Sequence, residues 1–218
     1  MKTHTREFQQ TLTPRLAFQV LKEGNDRFVN NLKVNRNLLQ QLNETRDGQF
    51  PFAVILSCMD SRTSVELIFD QGLGDIFSIR IAGNIVNNDI LGSMEFACQV
   101  AGSKLIVVLG HSRCGAIKGA ADHVEMGNLT GLLHKIKPAN NKTHHAEFDH
   151  LSDLEKLAHA NVLHSIEEIQ AGSEIIRSLY NEGKIGIVGG MYSVETGQVN
   201  FIRKMFTEKQ KENAAVAQ

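Results

Sequence analysis

The spacing of apolar residues changes its period along this chain. Through the first fifty residues it is helical. Leu16, Ala17, Val20, Leu21, Phe28 and Val29 recur at intervals of three and four, the stripe of an amphipathic helix. Thr13-Pro14 precedes the stripe and supplies a cap followed by a proline at the first helical position, where a missing N–H costs least. Asp47-Gly48 and Pro51 close the region as a turn. From Phe52 onward the apolar residues come in short unbroken runs, at 52–56, 76–79, 105–109 and 185–188, each bounded by Gly, Asp or Ser. Runs without alternation suit strands buried on both faces of a parallel sheet. Helical spacing lies between them, over 65–69, 89–101, 116–126 and 154–181. The last helix opens with Ser152-x-x-Glu155, a capping box, and stops before Gly183.

This strand–helix alternation implies right-handed crossovers and an α/β fold: a central, mainly parallel β-sheet flanked by helices, with an N-terminal helical arm. The expected division is an arm over 1–50, an α/β domain over 51–206 and a tail over 207–218, a single domain overall. Residues 137–150 are polar and rich in Asn and His, and read as a surface excursion. The tail reads as a helix fraying at its end.

Composition narrows the function classes. Lys+Arg 23 against Asp+Glu 24 leaves a formal charge of −1, so there is no basic field for nucleic acid. The N-terminus has no apolar segment before a cleavage site, and no run approaches the roughly 18 apolar residues of a membrane span. Three cysteines cannot all pair within one chain, which favours a reducing compartment and a cytoplasmic protein with free thiols.

Ligands of open parallel sheets sit beyond the carboxyl ends of the strands. Two of the expected strands run into residues suited to a metal: Cys58-Met59-Asp60-Ser61-Arg62 after the first, and His111-Ser112-Arg113-Cys114 after the third. If those strands are neighbours, Cys58, Asp60, His111 and Cys114 meet in one crevice. Two thiolates, an imidazole and an oxygen suit tetrahedral zinc. Asp60 either closes the coordination sphere or turns away to pair with Arg62, whose planar fork holds a carboxylate bidentately.

These paired motifs, Cys-x-Asp-x-Arg and His-x-x-Cys, resemble those of the β-class carbonic anhydrases, as does the context Arg80-Ile-Ala-Gly83-Asn84 and Gly189-Gly-Met-Tyr192. The resemblance runs from about Leu16 to Phe206. It implies zinc-dependent, reversible hydration of carbon dioxide to bicarbonate, with one Zn2+ per subunit and a homodimer or homotetramer whose N-terminal helices embrace the partner. Cys58, His111 and Cys114 would hold the zinc, which lowers the pKa of a bound water to about 7, and Asp60 with Arg62 would be catalytic. The resemblance extends to Gln71 as a substrate contact and to Arg80 and Tyr192 as members of an anion pocket. The N–H of Gly115, at a helix start, is a further candidate for binding the anionic product. One departure stands out. Some members carry a tryptophan three residues before the first cysteine; here the position is Ile55 and the chain has no tryptophan. This predicts weak bicarbonate inhibition and an open site near neutral pH.

Other readings stay open at this level. The cluster suits a closed structural zinc, a non-catalytic zinc or bicarbonate module, or a sibling hydrolase acting on carbon disulfide or carbonyl sulfide. Cys98 shares a stripe with Leu91, Met94 and Ala101 and reads as core. The other seven histidines form no ligand pattern, and a proton shuttle among them is not singled out.

Overall fold

Alternate residues of one strand face opposite sides of a sheet, and here they divide the protein into two cores. Val54 and Leu56 point into one apolar cluster, with Ile106, Val108 and Ile187; Ala53 and Ile55 point into the other, with Leu105, Val107 and Val188. The structure is a computed structural model that describes residues 3–136, 139 and 148–207. Five strands, β1 (Ala53–Ser57), β2 (Ile76–Arg80), β3 (Leu105–His111), β4 (Gly186–Tyr192) and β5 (Val199–Met205), lie in the order β2-β1-β3-β4-β5. The first four are parallel, and β5 returns antiparallel to β4.

β1 and β3 are neighbours, so the chain leaves β1 toward one edge and resumes at β3 on its other side. The strand order reverses there, which opens a crevice at the carboxyl ends. Cys58 follows β1 and His111 ends β3.

The α2 helix (Pro14–Val29) starts as expected, with the Thr13 hydroxyl accepting from the Leu16 N–H and Pro14 at the first position. Its buried stripe is Ala17, Leu21 and Gly24, while Leu16 and Val29 stay exposed. Gly24 admits no side chain: a Cβ there would stand 1.8 Å from the Phe69 carbonyl oxygen. Asn25, next to it, donates to the carbonyls of Ile68 and Gly197 and accepts from the Val199 N–H. The arm, which also contains α1 (Arg6–Thr11) and α3 (Leu38–Thr45), is therefore packed on its own chain. Gln9 donates to the carbonyls of Pro51 and Ala101, and Arg27 and Arg36 both hold Asp70. Its outer face leaves Leu32, Leu38, Leu39 and Leu42 exposed.

The remaining helices are α4 (Val65–Ile68), α5 (Asn88–Glu95), α6 (Gly115–Ala121), α7 (Gly127–His134), α8 (Asp153–Gly172) and α9 (Glu174–Asn181). Several differ from expectation. The stretch expected as one helix over 154–181 breaks at Ser173, which is extended (φ −127°) and caps α9 by accepting from the Ile176 N–H. The helix expected over 89–101 ends in a π turn, Phe96–Val100, and the one over 116–126 stops at Ala121. Strand β5 was not anticipated, although Gly197, with φ +77°, closes a turn before it. The capping box at Ser152 and Glu155 is present. Most of the expected excursion over 137–150, with His144 and His145, and the tail beyond 207 fall outside the described residues. Among the described residues no helix is long and apolar enough to cross a membrane.

Candidate metal centre

Three of the four expected ligands come together. The donor atoms of Cys58, His111 and Cys114 lie within 4.8 Å of one another, and all three residues are buried. The two sulfurs stand 3.9 Å apart. Two thiolates bound at about 2.3 Å in a tetrahedron about one zinc are separated by about 3.8 Å, so the spacing fits. His111 is presented for the same purpose. Its Nδ1 lies 2.9 Å from the Ser112 carbonyl oxygen, which fixes Nδ1–H as a donor and leaves Nε2 with its lone pair. Nε2 is buried with no hydrogen-bond partner, and buried polar atoms without partners are rare. A metal ion would supply what Nε2 lacks.

The loop after β1 is held by a set of short-range bonds. Thr63 Oγ1 donates to the carbonyls of Cys58 and Asp60. Arg80, at the end of β2, donates Nε to the Cys58 carbonyl and Nη2 to the Asp60 carbonyl. The Gly83 N–H points at Cys58 Sγ, 3.4 Å away. The Cys58 thiol is pushed well below its ordinary value, chiefly by the hydrogen bond from Cys114, with the backbone N–H groups of Gly83 and Asp60 helping against burial. Cys114 is pushed up, because Cys58 keeps the shared proton on it.

Asp60 is the exception among the expected ligands. Both of its oxygens face Arg62, and it stands outside the three-residue group. The Arg62 side-chain hydrogen bond, with the Arg62 N–H, lowers its carboxyl far below the usual range. Gly115 is the first residue of α6, directly after Cys114, with open space beside it. The Gln71 side chain donates Nε2 to the Phe69 carbonyl at 2.6 Å. Tyr192 closes β4 in register with His111, and burial raises its phenol. Ile55 is fully buried in the core beneath, and the Arg80 guanidinium is occupied by backbone carbonyls. A cavity of about 670 Å³ opens beside Cys114, Gly115 and Tyr192, reaching His159 at the start of α8.

Sequence reasoning passed over Thr63. Cys98 lies in the core, buried, with its thiol pushed up to about 12 by burial alone, as its stripe implied.

At the switch point of this α/β sheet stands a buried two-cysteine, one-histidine cluster that could hold a metal ion. The chain belongs to the carbonic anhydrase family, and to its β class: the family model for carbonic anhydrase matches residues 53–199. Carbonic anhydrase 2 of Mycobacterium tuberculosis is 35% identical over 193 residues, covering 85% of this chain and 91% of that protein. A carbonic anhydrase of Mycolicibacterium smegmatis is 33% identical over 85% of this chain and 92% of its own length. Among solved structures, a tetrameric β-carbonic anhydrase from Sordaria macrospora matches with a TM-score of 0.65 and 26% identity, over 72% of this chain and 83% of that one. The β-carbonic anhydrase CcaA matches with a TM-score of 0.66 and 27% identity, over 89% and 97%.

Proposed function

We propose that this carbonic anhydrase carries one zinc ion on Cys58, His111 and Cys114 and interconverts carbon dioxide and bicarbonate, with Asp60 and Arg62 as its catalytic pair. The observation that carries the reading is the orphaned Nε2 of His111 facing two sulfurs at tetrahedral spacing, with Asp60 turned away to Arg62. When bound, zinc supplies a water acidic enough to serve as the nucleophile near neutral pH. The protein does the rest. Asp60 Oδ1 accepts from both the backbone N–H and Nε of Arg62, while Oδ2 accepts from Nη2. Oδ2 therefore keeps acceptor capacity. Since Arg62 keeps the carboxylate ionised, Oδ2 takes a hydrogen bond from the nucleophile's O–H and turns its lone pair toward the carbon of CO₂. Arg80 and Thr63 hold the backbone that carries Asp60, so the dyad keeps its position. The open space beside Gly115 supports its N–H as a contact for the anionic product.

The exposed leucines of the arm support a homo-oligomer, and a balanced charge suits a neutral substrate that needs no steering. The test is stopped-flow CO₂ hydration with a pH indicator, alongside metal analysis and sedimentation. Turnover with one zinc per chain in an oligomer is expected. A zinc-loaded protein without activity from about pH 7 to 9 would defeat the enzymatic reading.

A further inference from the structure

We infer that Asn161, supported by Ser165, is a positioning residue for the metal cluster, acting through the Ala82–Asn84 turn on the sulfur of Cys58. The inference rests on the metal reading above and adds a part of the machinery that lies more than a hundred residues from Cys58 in sequence. α8 buries Leu157, Val162, Ile166 and Ile169 in the core. Two polar residues one helical turn apart are buried with them: Asn161 is 1% exposed and Ser165 2%. A buried amide is costly unless bonded, so their partners indicate their purpose. Asn161 Nδ2 donates to the Gly83 carbonyl at 2.8 Å, and Ser165 Oγ donates to the Asn84 carbonyl at 3.0 Å.

Those two carbonyls belong to consecutive left-handed residues, Gly83 at φ +68° and Asn84 at φ +43°. Gly83 adopts this backbone freely, whereas Asn84 keeps it only where its surroundings hold it. A side chain at Gly83 is also barred, because its Cβ would meet Ile136 Cδ1 at 2.7 Å. The turn directs the Gly83 N–H at Cys58 Sγ, 3.4 Å away. An N–H donated to a thiolate withdraws electron density from sulfur and fixes the lone pairs left for a metal, which is how outer partners tune a site. Asn161 and Ser165 pin the two carbonyls of the turn from α8. Without them the turn relaxes and the N–H leaves the sulfur. Neither residue touches a ligand itself, so their action is positional.

The experiment uses the full chain, wild type and three variants: Asn161→Ala, Ser165→Ala and, as a control, Ser173→Ala. Ser173 is equally buried, at 1% exposure, but serves the cap of α9. Each is loaded with Co2+, and the thiolate-to-cobalt charge-transfer band is recorded. Zinc affinity is read by competition with a chromophoric chelator, and thermal unfolding is followed in parallel. Asn161→Ala is expected to shift the band and weaken zinc on the order of tenfold, the low end of what a lost outer partner costs. Ser165→Ala should move both in the same direction by less, and it decides the matter if Asn161→Ala does not fold. Ser173→Ala should lower the melting temperature while leaving band and affinity in place. Bands and affinities equal to wild type in both α8 variants overturn the inference, as does an equal shift in Ser173→Ala. A wild-type chain that takes up neither metal overturns the metal reading itself, and this inference with it.

Discussion

Arg62 grips Asp60 by both carboxylate oxygens, with Nε 2.9 Å from Oδ1 and Nη2 2.8 Å from Oδ2. The two residues are separated by one position, and the Arg62 backbone N–H adds a third bond to Oδ1, so the pair is built into a single turn of chain. The consequence is electrostatic as well as geometric. The guanidinium depresses the carboxyl, so the ionised form is favoured and the pair is lost only as pH falls through that depressed value. Across the neutral range Asp60 is an acceptor that does not titrate.

Replacing Asp60 by Asn keeps the shape but removes the charge and one acceptor oxygen. Hydration should fall by about 10²-fold or more in kcat/KM, the scale of a lost proton-handling group, with zinc content unchanged. Arg62→Lys offers a point charge in place of a planar fork, and should lie between wild type and Asp60→Asn. Stopped-flow rates with metal analysis on the same samples check both, and near-normal rates in Asp60→Asn would remove the dyad from the mechanism.

Bicarbonate should inhibit weakly and without cooperativity. An inhibitory pocket formed with Arg80 would need a guanidinium that is free, whereas here it holds the carbonyls of Cys58 and Asp60. Ile55 is fully buried and offers no polar group. Initial rates measured at rising bicarbonate should follow simple product inhibition, and activity should fall with pH only through protonation of the nucleophile near pH 7, with no added, steeper loss below about pH 8, since Asp60 stays paired and does not titrate there. Sigmoidal inhibition that strengthens as pH falls would contradict this.

Asp70 should be an acid-sensitive anchor of the arm. Burial raises its carboxyl, but the hydrogen bonds from Arg27, Arg36 and the Val34 N–H outweigh that, and the net direction is down. A depressed folded value means the stabilisation is present above the ordinary carboxylate range, near 3.9, and is lost as pH falls through the folded value. Asp70→Asn should destabilise by about 3 kcal/mol at neutral pH, because it removes the carboxylate charge that two guanidinium groups share. Its stability should also decline less than that of wild type on acidification. Urea unfolding at neutral pH and near pH 4 measures both effects.

What could be read from the sequence, and what could not, follows the range of the interactions. Strands β1, β3 and β4 were legible because burial on both faces writes an unbroken apolar run, β2, an edge strand of mixed burial, because of Ile76, Phe77 and Ile79, and Cys58, His111 and Cys114 because strand ends carry them to the switch point. Strand β5 was missed since Val199–Met205 is an edge strand of mixed burial with no clean period. The break at Ser173 had a local signal in Gly172-Ser173-Glu174, a stop followed by a cap, which the continuing helical stripe concealed. Asn161 and Ser165 had none. Their partners are 78 and 81 residues away, and the spacing of two polar residues on a helix says nothing about a carbonyl brought there by the fold. The own-chain packing of the arm is of the same kind: Gly24 looks like a helix-weakening residue until the Phe69 carbonyl is placed against it.

The three cysteines should separate cleanly by metal content. Cys98 lies in the apolar cluster behind α5 and β1, its thiol pushed up to about 12 by burial alone, with no donor or charge nearby to make it a thiolate. Cys98→Ala should therefore keep one zinc per chain and near-normal hydration, at a cost of about 1 kcal/mol for the lost packing. Cys114→Ala removes one of three ligands and leaves His111 and Cys58 unable to close a site. Its zinc content after dialysis should fall close to nothing, together with activity. Metal analysis of the two variants against wild type decides this: loss of zinc in Cys98→Ala, or full retention in Cys114→Ala, would place the metal elsewhere.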